Sequence, residues 1–129
     1  MVVMRPIDEP AVLDELDAGR FGGAASGLRG YVVMEGPAYH GWALFRVEAG
    51  TTQVLACCLD EKPLVDGAVR ACVAAGENAG AVRFSICTDD ALLAEWLRVF
   101  CPGRTQPVEN SVLLGGCAAS QRPALAEDR

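Results

Sequence analysis

Four short stretches of this chain carry side chains with chemical reach: Tyr39-His40-Gly41-Trp42, Cys57-Cys58, Asp60-Glu61 and Thr88-Asp89-Asp90. The first sets a lone His beside two aromatics at an expected turn. Such a group can line a small-ligand pocket, although a His without a Cys or Ser partner is more often an ordinary turn residue. The paired thiols could house a nucleophile, but neighbours on a strand point to opposite faces and cannot share a base. Thr88-Asp89-Asp90 resembles a paired-carboxylate site, but helix capping explains it more simply. Asp60, Glu61 and Asp66 can in the same way serve the amino terminus of the helix that follows them.

Metal-ligand spacing is missing. The six cysteines, Cys57, Cys58, Cys72, Cys87, Cys101 and Cys117, include no C-x-x-C pair, and only one His exists to join them. That pattern argues against a metal centre. Most of these thiols sit among apolar neighbours, where Cys acts as a small hydrophobe. The opening Met1-Val2-Val3-Met4-Arg5-Pro6 shows no signal-peptide pattern, so reduced thiols and a cytoplasmic location are expected.

Charge narrows the partners. The 129 residues hold 17 acidic and 11 basic groups, a net charge of −6, with Lys62 the one lysine and the arginines scattered. Non-specific nucleic-acid affinity comes mostly from clustered cations, so DNA, RNA and anionic membranes are not expected partners. No apolar run approaches the length of about 20 residues that spans a bilayer.

The elements that must position these side chains follow from periodicity. Val2 to Ile7 reads as a first strand, and Glu9-Pro10 opens a helix with Val12, Leu13 and Leu16 inward and Asp14, Glu15 and Asp17 toward water. Gly19 to Leu28 is a Gly-rich loop. Strands follow over Tyr31–Met34, Trp42–Glu48 and Thr51–Leu59, with turns at Glu35-Gly36-Pro37 and Ala49-Gly50. The third of these is apolar on both faces, as a covered central strand is. A helix over Pro63–Asn78 stops at Gly80, and a strand over Ala81–Cys87 buries Val82, Phe84 and Ile86. Strand, helix and strand in that order close as a right-handed parallel crossover. A last helix presents Leu92, Leu93, Trp96, Leu97 and Phe100 to the core, and Ser111–Leu114 forms a final strand. The expected architecture is one α/β (α+β) domain over residues 1–117, a mixed and mostly antiparallel sheet with one crossover, and a disordered tail over 118–129.

This order resembles that of the GNAT-type acyltransferase family. Met4-Arg5-Pro6-Ile7 is similar to its usual first strand, and Ala74-Ala75-Gly76-Glu77-Asn78-Ala79-Gly80 to the end of the helix after its cofactor loop. The likeness covers roughly residues 1–115 in element order and length. It implies that Lys62, Pro63, Leu64, Val65, Asp66, Gly67 and Ala68 occupy the place of the Q/R-x-x-G-x-G/A loop. In the family that loop cradles the pyrophosphate of acetyl-CoA or another acyl-CoA on backbone amides. The resemblance also makes Asp60 or Glu61 the candidate catalytic base.

The departures are specific. Counting back from Gly80 puts Pro63 and Val65 on the two glycine positions, and shifting by two gives Lys62-x-x-Val65-x-Gly67. Either way the middle glycine is missing, and Pro63 removes an N–H. Asp60, Glu61 and Asp66 surround Lys62, the wrong sign for a diphosphate. No Tyr follows Tyr39 to act as the general acid, and Asp8–Leu28 is short for the two helices of the acceptor pocket. The resemblance therefore implies a trimmed GNAT-like domain without standard acetyltransferase activity and without a bound cofactor. Its expected role is as a small-ligand or protein-interaction module, with a homodimer joined through the last strands as the expected assembly. The alternative is an acyl-CoA-dependent N-acetyltransferase with a non-standard pyrophosphate loop. A purely structural partner of a larger complex is the third reading.

Overall fold

A computed structural model describes residues 1–115. The elements are β1 (Val2–Pro6), α1 (Pro10–Asp17), β2 (Arg29–Glu35), β3 (Ala38–Glu48), β4 (Thr51–Leu59), α2 (Leu64–Asn78), β5 (Arg83–Ile86), α3 (Ala91–Phe100) and β6 (Val108–Glu109). The strands form one sheet in sequence order, β1-β2-β3-β4-β5-β6. All neighbours are antiparallel except β4 and β5, which run parallel and are joined through α2. The architecture is thus mixed α+β, with a mostly antiparallel sheet and one parallel crossover.

Alternation along the central strands gives the sheet two covered faces. Ala43, Phe45, Val54, Cys57 and Phe84 meet Val65, Val69, Cys72 and Val73 of α2 and Leu93 and Trp96 of α3 in the main core. Leu44 turns to the opposite face, where Leu13 of α1 and Leu28 close a smaller cluster with Trp42 and Leu55 beside it. The apolar content of β4 on both sides follows from this placement. No described helix is long and apolar enough to cross a membrane.

Several expectations need correction. Asp17 faces the interior, only 1% exposed. Its carboxylate accepts from the amides of Phe21 at 2.8 Å and Gly23 at 2.9 Å, so the Gly-rich loop wraps around it. Val82 is 61% exposed because it precedes the first β4–β5 pair and lies level with the hairpin turn, its amide bonded to the Gly50 carbonyl. Phe100 ends α3 stacked on Trp96 but 45% exposed.

Tyr39 and His40 lie within β3 rather than at a turn, since the hairpin closes earlier, with Glu35 opposite Ala38. The final strand falls at Val108–Glu109, and Ser111–Gly115 coils into a helical turn of the wide π type. Only Arg83 and Phe84 of β5 find strand partners on that side. The Gln106 side chain takes both the amide and the carbonyl of Ile86, and Asn110 takes the Val82 and Ala81 carbonyls, leaving no edge for a longer ladder. The expected tail over 118–129, and Cys117, lie outside the described residues.

Candidate functional site

The parallel pairing of β4 with β5 is short. It runs from Thr51↔Arg83 to Val54↔Ile86, and a last bond joins the Cys87 amide to the Val54 carbonyl at 2.9 Å. Beyond that point β4 continues to Leu59 paired with β3 but without a strand on its β5 side. The register against β3 shifts at the same level, between Leu44 and Phe45, so that Leu55 is an extra, bulged residue. Bulges increase local twist, and β5 itself ends at Ile86, which leaves the last residues of β4 without a neighbour on that side. Asp90 reaches into the resulting gap. Its Oδ2 accepts from the Cys57 amide at 3.0 Å and its Oδ1 caps α3 through the Leu93 amide at 3.0 Å. A cavity of about 240 Å³ lies there, lined by Arg20, Phe21, Leu55, Cys87, Asp89 and Asp90.

The segment after β4 is already committed to packing. Lys62 Nζ lies 2.6 Å from Glu95 Oε2 on α3 and holds that carboxyl below its usual pKa range. Pro63 occupies the N-cap position of α2, and the Leu64 and Val65 amides donate to the Glu61 and Lys62 carbonyls at 3.0 and 3.1 Å. Val65 is 3% exposed and Ala68 fully buried, both in the main core, with Leu64 packed against it. Asp66 accepts from Trp96 Nε1 at 2.9 Å and pairs with Arg70 Nε at 3.0 Å. A Cβ at Gly67 would stand 2.8 Å from the end of Met4. Outside this segment, an apolar groove of about 280 Å³ runs between Pro63 and Val65 on one side and Leu92, Trp96, Val99 and Phe100 on the other.

Asp60 and Glu61, exposed at the end of β4, come together with His40. His40 Nδ1 lies 2.9 Å from Asp60 Oδ1, and Nε2 lies 3.2 Å from Glu35 Oε1. Ligand atoms of His40, Asp60 and Glu61 all fall within 4.8 Å of one another. The geometry has a local cause. Val33 pairs with Gly41 and Met34 with Tyr39, so His40 is the extra residue of a second bulge. The next residue must be glycine: Gly41 has φ +135°, and a Cβ there would run into the Cys58 carbonyl. The imidazole is held between carboxylates with its side chain 11% exposed. Its pKa is raised, first by the hydrogen bond to Asp60 and then by that to Glu35. Two acceptors on a protonated ring make a charge clamp and leave a poor general base. A cleft of about 260 Å³ beside it is lined by Tyr39, Gly41, Trp42, Cys58 and Leu59 in addition to His40 and Asp60.

Sequence reasoning placed Asp60 and Glu61 correctly at the strand end and left His40 elsewhere, without its carboxylate partners. The Cys57-Cys58 pair divides between faces as expected, Cys57 buried and Cys58 exposed, and the five described cysteines are free thiols. Asp90 caps α3, while its second contact, to Cys57, was not foreseen. No protein-family model matches the chain, and none of the curated proteins matches it.

Proposed function

We propose that the chain is a GNAT-like domain that has left acyl-CoA chemistry and serves as a small-ligand or protein-interaction module in the cytoplasm. The observation that carries this reading is the burial of Val65. In both registers of the family's loop Val65 stands on a cradle glycine, and here its side chain is 3% exposed within the core. A glycine in that position would leave a cavity and cost on the order of 2–4 kcal/mol. The neighbouring groups point the same way: Pro63 has no N–H, the Leu64 and Val65 amides are bonded to Glu61 and Lys62 carbonyls, and Lys62 is turned to Glu95. Few donors remain for a diphosphate.

A second reading keeps the enzyme, with Pro63–Ala68 holding coenzyme A and Asp60 or Glu61 as base. The end of the β4–β5 pairing at Val54 and Ile86 favours it, because β4 runs on to Leu59 without a strand on that side, although Asp90 already takes the Cys57 amide. Thermal melting with 1 mM acetyl-CoA (about 10⁻³ M, 100-fold above a Kd of about 10 μM) separates the two. Such a ligand stabilises by about 2.7 kcal/mol, which lifts the midpoint by roughly 3–6 °C in a domain of this size. An unmoved midpoint is expected, and a shift of that size overturns the proposal in favour of the enzyme.

A further inference from the structure

We propose that His40, Asp60 and Glu61 form a binding site for one divalent transition-metal ion of the zinc class. The inference does not depend on whether the scaffold takes acyl-CoA. Nδ1 of His40 and one carboxylate oxygen from each of Asp60 and Glu61 are the ligands, and Glu35 holds the other ring nitrogen.

Four observations support it. The two central donors are fixed by the sheet, because the Asp60 amide donates to the His40 carbonyl at 3.0 Å and continues the β3–β4 ladder past Leu59. The ligand atoms are also close enough. They lie within 4.8 Å of one another, and His40 Nδ1 and Asp60 Oδ1 only 2.9 Å apart. Tetrahedral zinc, with bonds of about 2.0–2.2 Å, needs ligand atoms separated by about 3.3–3.6 Å, within the reach of two exposed carboxylates turning about their own bonds. The second shell is in place as well. Glu35 Oε1 accepts from Nε2 at 3.2 Å, the carboxylate–imidazole arrangement that fixes the ring and leaves its other nitrogen for a metal.

Charge supplies the fourth. Glu35, Asp60 and Glu61 surround a single imidazole, so one ring proton leaves a net negative cluster that a dication offsets better. On binding, the Nδ1 proton leaves to solvent, the Nδ1–Asp60 hydrogen bond gives way to bonds from Nδ1 and the two carboxylates to the ion, and the ion releases water ligands in exchange. One imidazole with two carboxylates suits zinc or manganese better than calcium, which takes six to eight oxygens. Three protein ligands leave a fourth position for water or a small ligand.

The test uses the untagged full chain, stripped of metal, titrated with zinc chloride by calorimetry and followed by NMR. His40 is the only histidine, so its ring resonances report the site without any substitution. Expected are one zinc per chain, a shift of the Nδ1 resonance with Nε2 still protonated, and much weaker binding of calcium. His40→Gln and Asp60→Asn should each weaken binding by more than tenfold, and Glu35→Gln by roughly ten- to hundredfold. Cys58→Ser in a Cys117→Ser background should leave it unchanged. Zinc binding that leaves the imidazole resonances in place, or that is lost with Cys58 and kept in His40→Gln, overturns the proposal, as does the absence of binding at millimolar zinc.

Discussion

The carboxylate of Asp90 gives the Cys57 amide the acceptor that a longer β5 would otherwise supply, at 3.0 Å, while its other oxygen caps α3. One side chain thus takes over where the β4–β5 ladder ends and starts the next helix. Asp90→Ala removes both bonds and leaves a buried amide unpaired. Loss of the cap and of the acceptor together should lower stability by about 2–4 kcal/mol. Asp90→Asn retains an oxygen acceptor and should lose less. Urea unfolding of the two variants decides, and an alanine variant within about 0.5 kcal/mol of the parent would show the bridge to be idle.

Thr52 and Gly76 set how closely α2 approaches β4. Thr52 is fully buried, its hydroxyl without a partner, and a Cβ at Gly76 would collide with that hydroxyl. Alanine is the better helix former by about 1 kcal/mol, so propensity alone would make Gly76→Ala stabilising. Contact reverses the sign. We expect Gly76→Ala to cost about 1–3 kcal/mol and Thr52→Ala to relieve most of that cost in the double variant. A double-mutant cycle from denaturant melts with no coupling between the two positions would count against the contact.

Much of the scaffold was legible because burial imposes a short repeat. The range Thr51–Leu59 for β4 follows from its apolar run and the turn before it, and α2 from the spacing of Val65, Val69, Cys72 and Val73. The site was less so, because bulges leave no mark in apolar periodicity. Counting outward from Glu48↔Thr51 puts His40 opposite Leu59; the bulge at Leu55 moves the register by one and brings His40 level with Asp60. A single slipped residue therefore separates an ordinary strand histidine from a three-carboxylate cluster. Asp17 escaped for a different reason. Helical period assigned it to water, and the amides that satisfy it belong to a loop whose path no pattern records.

Asp66 ties three elements together within the segment that follows β4. It accepts from Trp96 Nε1 on α3 and pairs with Arg70, which in turn donates from Nη1 to the Leu113 carbonyl at 2.8 Å. Asp66→Ala strands the indole N–H and frees Arg70, and should cost about 1–3 kcal/mol in guanidinium unfolding. Asp66→Asn keeps an acceptor for Trp96 and should fall between. Equal losses in both variants would assign the effect to charge at the helix start instead of the indole bond.

Burial of the thiols sets the response to alkali. Cys57 is pushed up to about 12, by burial first and then by the charge of Asp90, and burial raises Cys72 and Cys101 as well. Tyr31 and Tyr39 move in the same direction, also through burial. An unfolded thiol ionises near 9.0, so from about that pH upward the unfolded chain releases protons that the folded chain retains. Stability is then fully present below pH 9 and falls as pH rises toward 12, the reverse of the acid loss that paired carboxylates produce. The melting midpoint should hold up to about pH 9, decline between pH 9 and pH 10.5 (about 10⁻⁹ to 10⁻¹⁰·⁵ M protons) and recover on return to neutrality. Iodoacetamide at pH 8, read by peptide mass spectrometry, should modify exposed Cys58 and spare Cys57 and Cys72 until the chain unfolds. Labelling of Cys57 at the rate of Cys58 in the folded protein would contradict the burial from which both expectations derive.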